Sequence, residues 1–580
     1  MNAGTVGVSG HSRVVDHIVE YLATGGVRHL FGVDGANIED VYDAAHFHPD
    51  ITAVLAKHEF SAAAMADGYS RSGAGLGVVM ATSGGGSLNL VPGLGESLAS
   101  RVPVLALVGQ PPLALDGRGS FQDTSGRNGS LDAVALFSAV SVFCERVVDP
   151  ADILSALPRA VRAAVSGGPA VLLLPKDIQQ AVLTAAGHGR NGWTPARQIG
   201  DPLPIARVLR NVSGQVTIVA GDQVIRDDAR AEVEQLRAVL RAGVAVTPDA
   251  KDAAGTSGMG SSSSVGVTGV MGHPDSAEMI ADSAVCLLVG ARLPVTARAG
   301  LDDALAGIRV LSIGSAPPYV PCTHIRSDDL RASLPLLTRG LIGHGRPHGL
   351  RVPATMPRKE LAPPVFDGPG VRYRDAMKTL DRLLPDDVDI VVDAGNTGAA
   401  AVHYLPVRRR GRFIVALGMG GMGYSFGAGL GVAFGRGRRT VVIAGDGSFF
   451  MQGLEVHTAV QHRLPVTFVL FNNNAHAMCV TREQLYYDDA YSYNRFRPSH
   501  LGAGLSAMFP GMPSVDVSGI DDLAAAVGSA LDSDGPSVVS VECSADEIPP
   551  FAPFLAARKP DVTSLPTIHE EDSLDVPASA

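Results

Sequence analysis

The stretch TVVIAGDGSFF, Thr440–Phe450, decides how this chain is read. An apolar run rich in β-branched residues predicts a strand. It stops at Gly445-Asp446-Gly447-Ser448. At the end of a parallel strand, the next helix offers free backbone N–H groups and the positive end of its dipole. Anions, phosphates above all, settle there. Gly445 and Gly447 let backbone come close, and Ser448 adds a hydroxyl donor. Asp446 would repel a phosphate unless a cation lay between them, so the stretch points to a divalent metal bridging Asp446 to a phosphate group. A plain turn is the alternative, since Asp and Gly are turn formers and the chain has a second Gly-Asp pair, Gly221-Asp222.

One carboxylate does not satisfy Mg2+, which takes octahedral oxygen coordination. The following strand, LPVTFVLFNNNAHAMC, ends in Asn472, Asn473 and Asn474. Adjacent parallel strands bring their carboxyl ends together, so these residues are expected beside Asp446. A side-chain amide oxygen and a backbone carbonyl would complete the protein ligands.

Outward from this stretch, one grammar repeats: a short apolar strand, a Gly-rich turn and an amphipathic or Ala-rich helix. It predicts an α/β protein of three doubly wound parallel-sheet domains. The first block, 1–185, has strands in HLFGV, LGVVMATS, PVLALVGQ and AVLLLP, with helices over 14–22, 59–71 and 153–165. The central block, 195–345, has strands in VTIVAGD, VAVTP, AVCLLVGAR and IRVLSIG, and a flexible loop in GTSGMGSSSSVGVTG. A linker, 346–366, leads to the third block, 367–548, with DIVVDAG, RFIVALG, TVVIAGD, VTFVLFNNN and SVVSVEC. The polar tail, 549–580, reads as a flexible arm. The 580 residues exceed what one core holds. Hydrophobic residues at 46% and 67 glycines suit a soluble α/β chain. A net charge of −11 argues against a nucleic-acid surface. Five scattered cysteines without a CxxC favour a reducing, cytoplasmic setting. The start does not read as a signal peptide, and no apolar run of about 20 residues reads as a membrane span.

GDGS followed by paired asparagines, with Asn473 falling 27 positions after Asp446, resembles the signature of thiamine diphosphate (ThDP) enzymes. The family is that of acetolactate synthase, pyruvate oxidase and pyruvate decarboxylase, and the pattern is closest to acetolactate synthase large subunits. The resemblance implies ThDP and Mg2+, with the metal held by Asp446, Asn473 and the backbone carbonyl of Ala475. Met422, in LGMGGMGYSFGAGLGVAFG, falls on the family's apolar support for the folded cofactor. Asn396 and Thr397, in DAGNTG, match polar positions that contact the diphosphate. LAKHEFSAAAMADGYSRSG, followed by ATSGGGSLNL, resembles the pyrimidine-binding domain. That places the catalytic carboxyl at Glu59, hydrogen-bonded to N1′ of the aminopyrimidine to stabilise the imino tautomer that is the base for C2. Asn89 matches the family's Asn in the same segment. Ala62, Ala63, Ala64 and Ala66 read as small residues that let the helix approach a flat ring. Gly35, in LFGVDGANIEDV, lies on the loop that approaches the reacting carbon, and SFQDTSGR resembles a segment that makes Gln122 a substrate-side group. His476, just past the metal loop, is a candidate proton donor. Taken singly, each has a plainer reading: Glu59 as a helix-start residue, Gln122 and His476 as loop residues, Met422 as core filling, Asn396-Thr397 as a turn.

The implied reaction is decarboxylation of a 2-oxo acid, pyruvate first, and carboligation of the enamine to a second carbonyl compound. The alternative is non-oxidative decarboxylation releasing an aldehyde. In the family the cofactor lies between the first domain of one subunit and the third of its neighbour, which implies a homodimer or homotetramer; a regulatory small subunit is left open. Two departures stand out. Acetolactate synthases read GMVRQWQ where this chain has HAMCVTREQLYY, so Arg482 replaces a Trp that shapes the acceptor pocket. It would either hold an anionic acceptor or be a solvated helix residue. LSIGSAPPY stands where relatives often have an acidic DIDP; some relatives hold FAD in this domain, and FAD is allowed here but not favoured.

Overall fold

The computed structural model describes residues 12–183, 193, 197–254, 264–343 and 358–557. Three six-stranded sheets dominate it, and all the strand pairs within them are parallel. The first contains β1 (His29–Val33), β2 (Thr52–Leu55), β3 (Gly77–Ala81), β4 (Val104–Gln110), β5 (Phe143–Arg146) and β6 (Pro169–Pro175), in the order β2-β1-β3-β4-β6-β5. The middle sheet contains β7 (Val216–Ala220), β8 (Gly243–Val246), β9 (Ser264–Val267), β10 (Val285–Val289), β11 (Arg309–Gly314) and β12 (Thr323–Arg326), in the order β9-β8-β7-β10-β11-β12. The third contains β13 (Asp389–Val392), β14 (Phe413–Val415), β15 (Thr440–Gly445), β16 (Val466–Asn472), β17 (Ser514–Val517) and β18 (Ser537–Glu542), in the order β14-β13-β15-β16-β18-β17. The first and third sheets thus share one winding. Both reverse direction between their first and third strands, and the crevice at such a switch point is where open α/β sheets bind ligands.

The two like-wound sheets also face each other through equivalent helices. Helix α1 (Glu59–Arg71) follows β2, and α3 (Tyr424–Arg436) follows β14, the corresponding strand. The helix α2 (Gly395–Tyr404) lies between β13 and β14 in the chain. A side-chain carbon added at Gly431 would sit on the Met65 carbonyl oxygen, and one at Gly68 on that of Ala428. The small residues of both helices therefore serve close helix–helix packing. This corrects the reading of Ala62, Ala63, Ala64 and Ala66 as an approach to a flat ring: all four are buried, and a carbon added at Gly427 or Gly93 would crowd Ala64 or Ala63.

Other expectations need adjusting. The strands β2, β5, β9, β12 and β17 were absent from the sequence reading, and all five lie at sheet edges. Part of the expected Gly/Ser loop is β9; its residues 255–263 lie outside the described residues, as do most of the stretch 185–196 and linker residues 346–357. The tail does not begin as a free arm. Ala552–Ala556 is helical, Phe554 is buried, and the Ala552 N–H donates to the Val270 carbonyl of the middle unit; residues beyond 557 lie outside the described set. Among the described residues no helix is long and apolar enough to cross a membrane.

The seam between the middle and third units holds two stacked, buried histidines, His273 and His403, with ring centroids 4.6 Å apart. Burial lowers His273 to about 3 and His403 to about 4, and Lys251 opposes protonation of both. Their folded values lie below the ordinary one, so the stability they allow is complete above about pH 6.5 and drains as pH falls, because only the unfolded chain takes up protons. The expected loss is about 1.4 kcal/mol per pH unit for each ring. Urea midpoints measured from pH 7 down to 4.5 check this: His403→Gln, which can still donate to Met271 O and accept from the Leu361 N–H, should show a shallower decline than the parent chain.

Candidate functional site

In the third sheet the switch point lies between β13 and β15, so the turns DAGNTG and GDGS face one crevice. β15 and β16 pair up to Gly445–Phe471, which brings the asparagine run beside Asp446. Asp446 opens helix α4 (Asp446–Gln452) and has 0% of its surface exposed. One carboxylate oxygen accepts the Ala475 N–H at 3.0 Å; the other, Oδ1, is buried without a partner. Burial raises the carboxyl to about 6, against the opposing pull of the Ala475 and Asn473 backbone N–H groups. The amide oxygen of Asn473 is likewise buried and unpartnered, while its nitrogen contacts Tyr373 Oη at 3.5 Å. Two orphaned oxygens on neighbouring strand ends are a cost unless something positive pairs with them. The unpartnered donors gathered here are a carboxylate oxygen and an amide oxygen, hard oxygen ligands of the kind that suit Mg2+. The second Gly-Asp pair behaves differently: Asp222 forms an ion pair with Arg226 on its own helix.

Met422, half-buried, and His476 both converge on Gly447. A carbon added there would come within 2.5 Å of the His476 ring and 3.3 Å of Met422 Cε. The His476 ring also meets Phe496 edge-on at 4.8 Å. Asn396 and Thr397 are buried at the start of α2; Asn396 Nδ2 contacts Thr481 Oγ1 at 3.4 Å and its Oδ1 has no partner. Ser448 departs from expectation. Its hydroxyl donates to Asp393 Oδ1 at 2.6 Å, so it ties loops together instead of pointing a donor at an anion. Asp393, which the sequence reading passed over, is buried and also accepts the N–H groups of Ala394, Gly423 and Ser425. It pins all three glycine-rich turns of the crevice. Its signal was available: like Asp446, it is a carboxylate closing an apolar strand.

The first sheet gathers the other candidates at its own switch point, between β1 and β3. Glu59, 8% exposed, opens α1; its Oε2 accepts a hydrogen bond from Asn89 Nδ2 at 2.9 Å. A carbon added at Gly86 would lie 3.0 Å from Glu59 Oε1, so the absence of a side chain at Gly86 keeps the space beside the carboxylate open. Gln122 packs over the same turn, accepting from Ser83 Oγ at 3.2 Å and Thr82 Oγ1 at 3.4 Å. Asn37, another residue missed, joins them through Ser83 Oγ at 2.6 Å. Gly35 packs against Thr82. The structure therefore brings Glu59, Asn89 and Gln122 together, and separately Asn396, Thr397, Met422, Asp446, Asn473 and His476. Among the described residues no hydrogen bond or ion pair joins the two clusters. Arg482, on helix α5 (Ala477–Tyr486), belongs to neither: it is exposed and lies over the Tyr486 ring.

All three units match domains of one known family. Residues 12–130 match the thiamine pyrophosphate enzyme N-terminal TPP binding domain, 205–319 the central domain, and 393–541 the C-terminal TPP binding domain. The chain belongs to the thiamine diphosphate-dependent enzymes. Its two TPP binding domains contain the two clusters described above, with Glu59 in one and Asp446 in the other. Among curated relatives, the chain is 27% identical to acetolactate synthase isozyme 2 large subunit of Escherichia coli, covering 92% of this chain and 95% of that one. It is 28% identical to acetolactate synthase 2, chloroplastic, of Nicotiana tabacum, covering 94% and 85%. A crystal structure of benzoylformate decarboxylase from Polynucleobacter necessarius superposes with a TM-score of 0.77 at 20% identity, over 93% of this chain and 100% of that one. That likeness speaks to fold alone.

Proposed function

We propose that this thiamine diphosphate-dependent enzyme uses Mg2+ to decarboxylate a 2-oxo acid, pyruvate first, and joins the product to a second carbonyl compound in an acetolactate synthase-like carboligation. The observation that carries the cofactor site is the pair of buried, unpartnered oxygens on Asp446 and Asn473 at the switch-point crevice. The similarity to acetolactate synthases over more than nine-tenths of the chain supports the carboligase reading. Asp446, Asn473 and the Ala475 carbonyl would hold Mg2+. Gly445 and Gly447, with Asn396 and Thr397, would receive the diphosphate, and Ser448 would act through Asp393. Met422 would support the folded cofactor. When bound, ThDP supplies the carbon nucleophile and the electron sink for loss of CO2. Glu59, oriented by Asn89, would hold the proton at N1′ of the aminopyrimidine. Gln122, hydrogen-bonded to the Thr82-Ser83 turn, would meet substrate, and His476 would deliver a proton from the opposite crevice.

Because each chain keeps Glu59 and Asp446 in separate clusters, a homodimer is the smallest unit that completes a site, and a homotetramer extends it. The exposed apolar residues beside the clusters, Phe121, Phe450, Met451 and Leu454, support that assembly. In the middle sheet, Gln223 fills the switch-point position, accepting the Ser315 N–H and donating to the Ser327 carbonyl, which supports function without a resident FAD. Five unpaired cysteines support a cytoplasmic setting. The proposed division of the chain remains 1–185, 195–345, 367–548 and a tail.

Arg482 favours a second reading. Acetolactate synthases have Trp at its position, and an exposed Arg there leaves the acceptor pocket differently walled, which supports simple decarboxylation to an aldehyde. Incubation with pyruvate alone and with a second 2-oxo acid, in ThDP and Mg2+, separates the two. Carboligation predicts CO2 together with a branched hydroxy-oxo acid. CO2 with free aldehyde selects the alternative, and no CO2 from any 2-oxo acid would overturn the reaction class.

A further inference from the structure

The two halves that carry the clusters exchange carboxylates. Glu455 lies nine positions after Asp446, just beyond helix α4, and is 1% exposed. Its side chain leaves its own unit: Oε1 accepts the N–H of Lys57 at 2.7 Å and of His58 at 3.2 Å. These two peptides lead directly into Glu59. Its other oxygen is held by Thr458 Oγ1 at 2.8 Å, which fixes the carboxylate plane. Gln452 adds a second tie from the same segment, accepting from Ser61 Oγ at 2.8 Å.

The first unit returns the arrangement. Glu96, 2% exposed and on the helix that follows β3, accepts the N–H groups of Gly418 at 3.2 Å, Met419 at 2.6 Å and Gly420 at 3.3 Å. That turn leads into Met422. Glu455 likewise follows β15, the strand equivalent to β3. Each carboxylate thus satisfies the unpaired amides just ahead of the other unit's helix, where a negative charge also meets the positive end of the helix dipole. Charge-assisted bonds from a buried carboxylate are short and directional, so they fix backbone position as well as adding stability.

We propose that Glu455 is a positioning residue that sets the location of Glu59 through the Lys57 and His58 peptides, and that Glu96 does the same for Met422. The proposal rests on the reading of Glu59 as the carboxylate that meets the cofactor. It makes α4 a strut, with a cofactor anchor at its first residue and the support of Glu59 just past its last.

The test uses the full-length protein and two readouts. In the cofactor-free protein, hydrogen exchange of the Lys57 and His58 amides should accelerate by about 10-fold in Glu455→Ala, as a buried, charge-assisted bond is lost. In the loaded enzyme the same change should lower kcat by about 10- to 100-fold with little change in KM, the cost of displacing a reacting group by about 1 Å. Glu455→Gln keeps an acceptor oxygen in place and should recover both. Made on a Glu59→Gln background, Glu455→Ala should cost almost nothing further, because it acts through the group already removed. Unchanged exchange at Lys57 and His58, or a full independent loss on the Glu59→Gln background, would overturn the proposal. If Glu455→Ala does not fold, Glu455→Asp, which withdraws the acceptor by one carbon, carries the same readouts. Full turnover in Glu59→Gln instead overturns the role given to Glu59, and the exchange result then decides the positioning by Glu455 alone.

Discussion

Glu59→Gln should bind ThDP within about threefold of the parent chain yet turn over about 100- to 10,000-fold more slowly, the range for loss of one positioned acid–base group. The substitution is close to isosteric. A Gln carbonyl can still accept the Asn89 N–H seen at 2.9 Å, and Gly86 beside it has no side chain to crowd the amide. What disappears is the capacity to share a proton with a ring nitrogen. Fluorescence titration with ThDP and Mg2+ measures the binding, and CO2 release from the 2-oxo acid measures the turnover. A variant that binds normally and turns over normally would remove Glu59 from the chemistry.

Asp446→Asn should lose Mg2+-dependent ThDP binding by at least about 100-fold, since even residues that only orient a metal ligand commonly cost 10- to 100-fold. The same variant should be the more stable of the two without cofactor. In the parent chain Asp446 is fully buried, and one of its carboxylate oxygens has no partner. An ionised group in that position is costly until a cation pairs with it. An amide keeps the bond from the Ala475 N–H and removes the charge. Thermal unfolding with and without ThDP and Mg2+ reads both effects: a higher midpoint for the unliganded variant, and no rise on adding the ligands. A ligand-induced rise equal to that of the parent would exclude Asp446 as a metal ligand.

The strands that were legible in the sequence are mostly those buried on both faces. HLFGV, TVVIAG and VTFVLFN are near-continuous apolar runs, and each ends at a turn whose composition announces it. The strands missed in the three large sheets, such as THIR and FCER, sit at sheet edges, where one side is solvated and the apolar signal is diluted by polar residues. The candidate site divides in the same way. Asp446 and Asn473 could be paired from sequence because adjacent parallel strands end together. Ser448 was misread because its partner, Asp393, lies 55 positions away, just past the end of another strand. The alanines of α1 were misread because their partner is α3, more than three hundred residues later.

The sequence by itself determined the α/β class, the three-part alternation and the cofactor family, because each depends on short runs whose periodicity and turn chemistry are local. Only the tertiary structure decided what Asp393 pins, why α1 is built of small residues, and that Glu455 reaches the peptides ahead of Glu59 across 398 positions of chain. Those contacts arise where two like-wound units pack helix against helix. No local pattern encodes which distant carboxylate meets which backbone amide; the packing of the two units does.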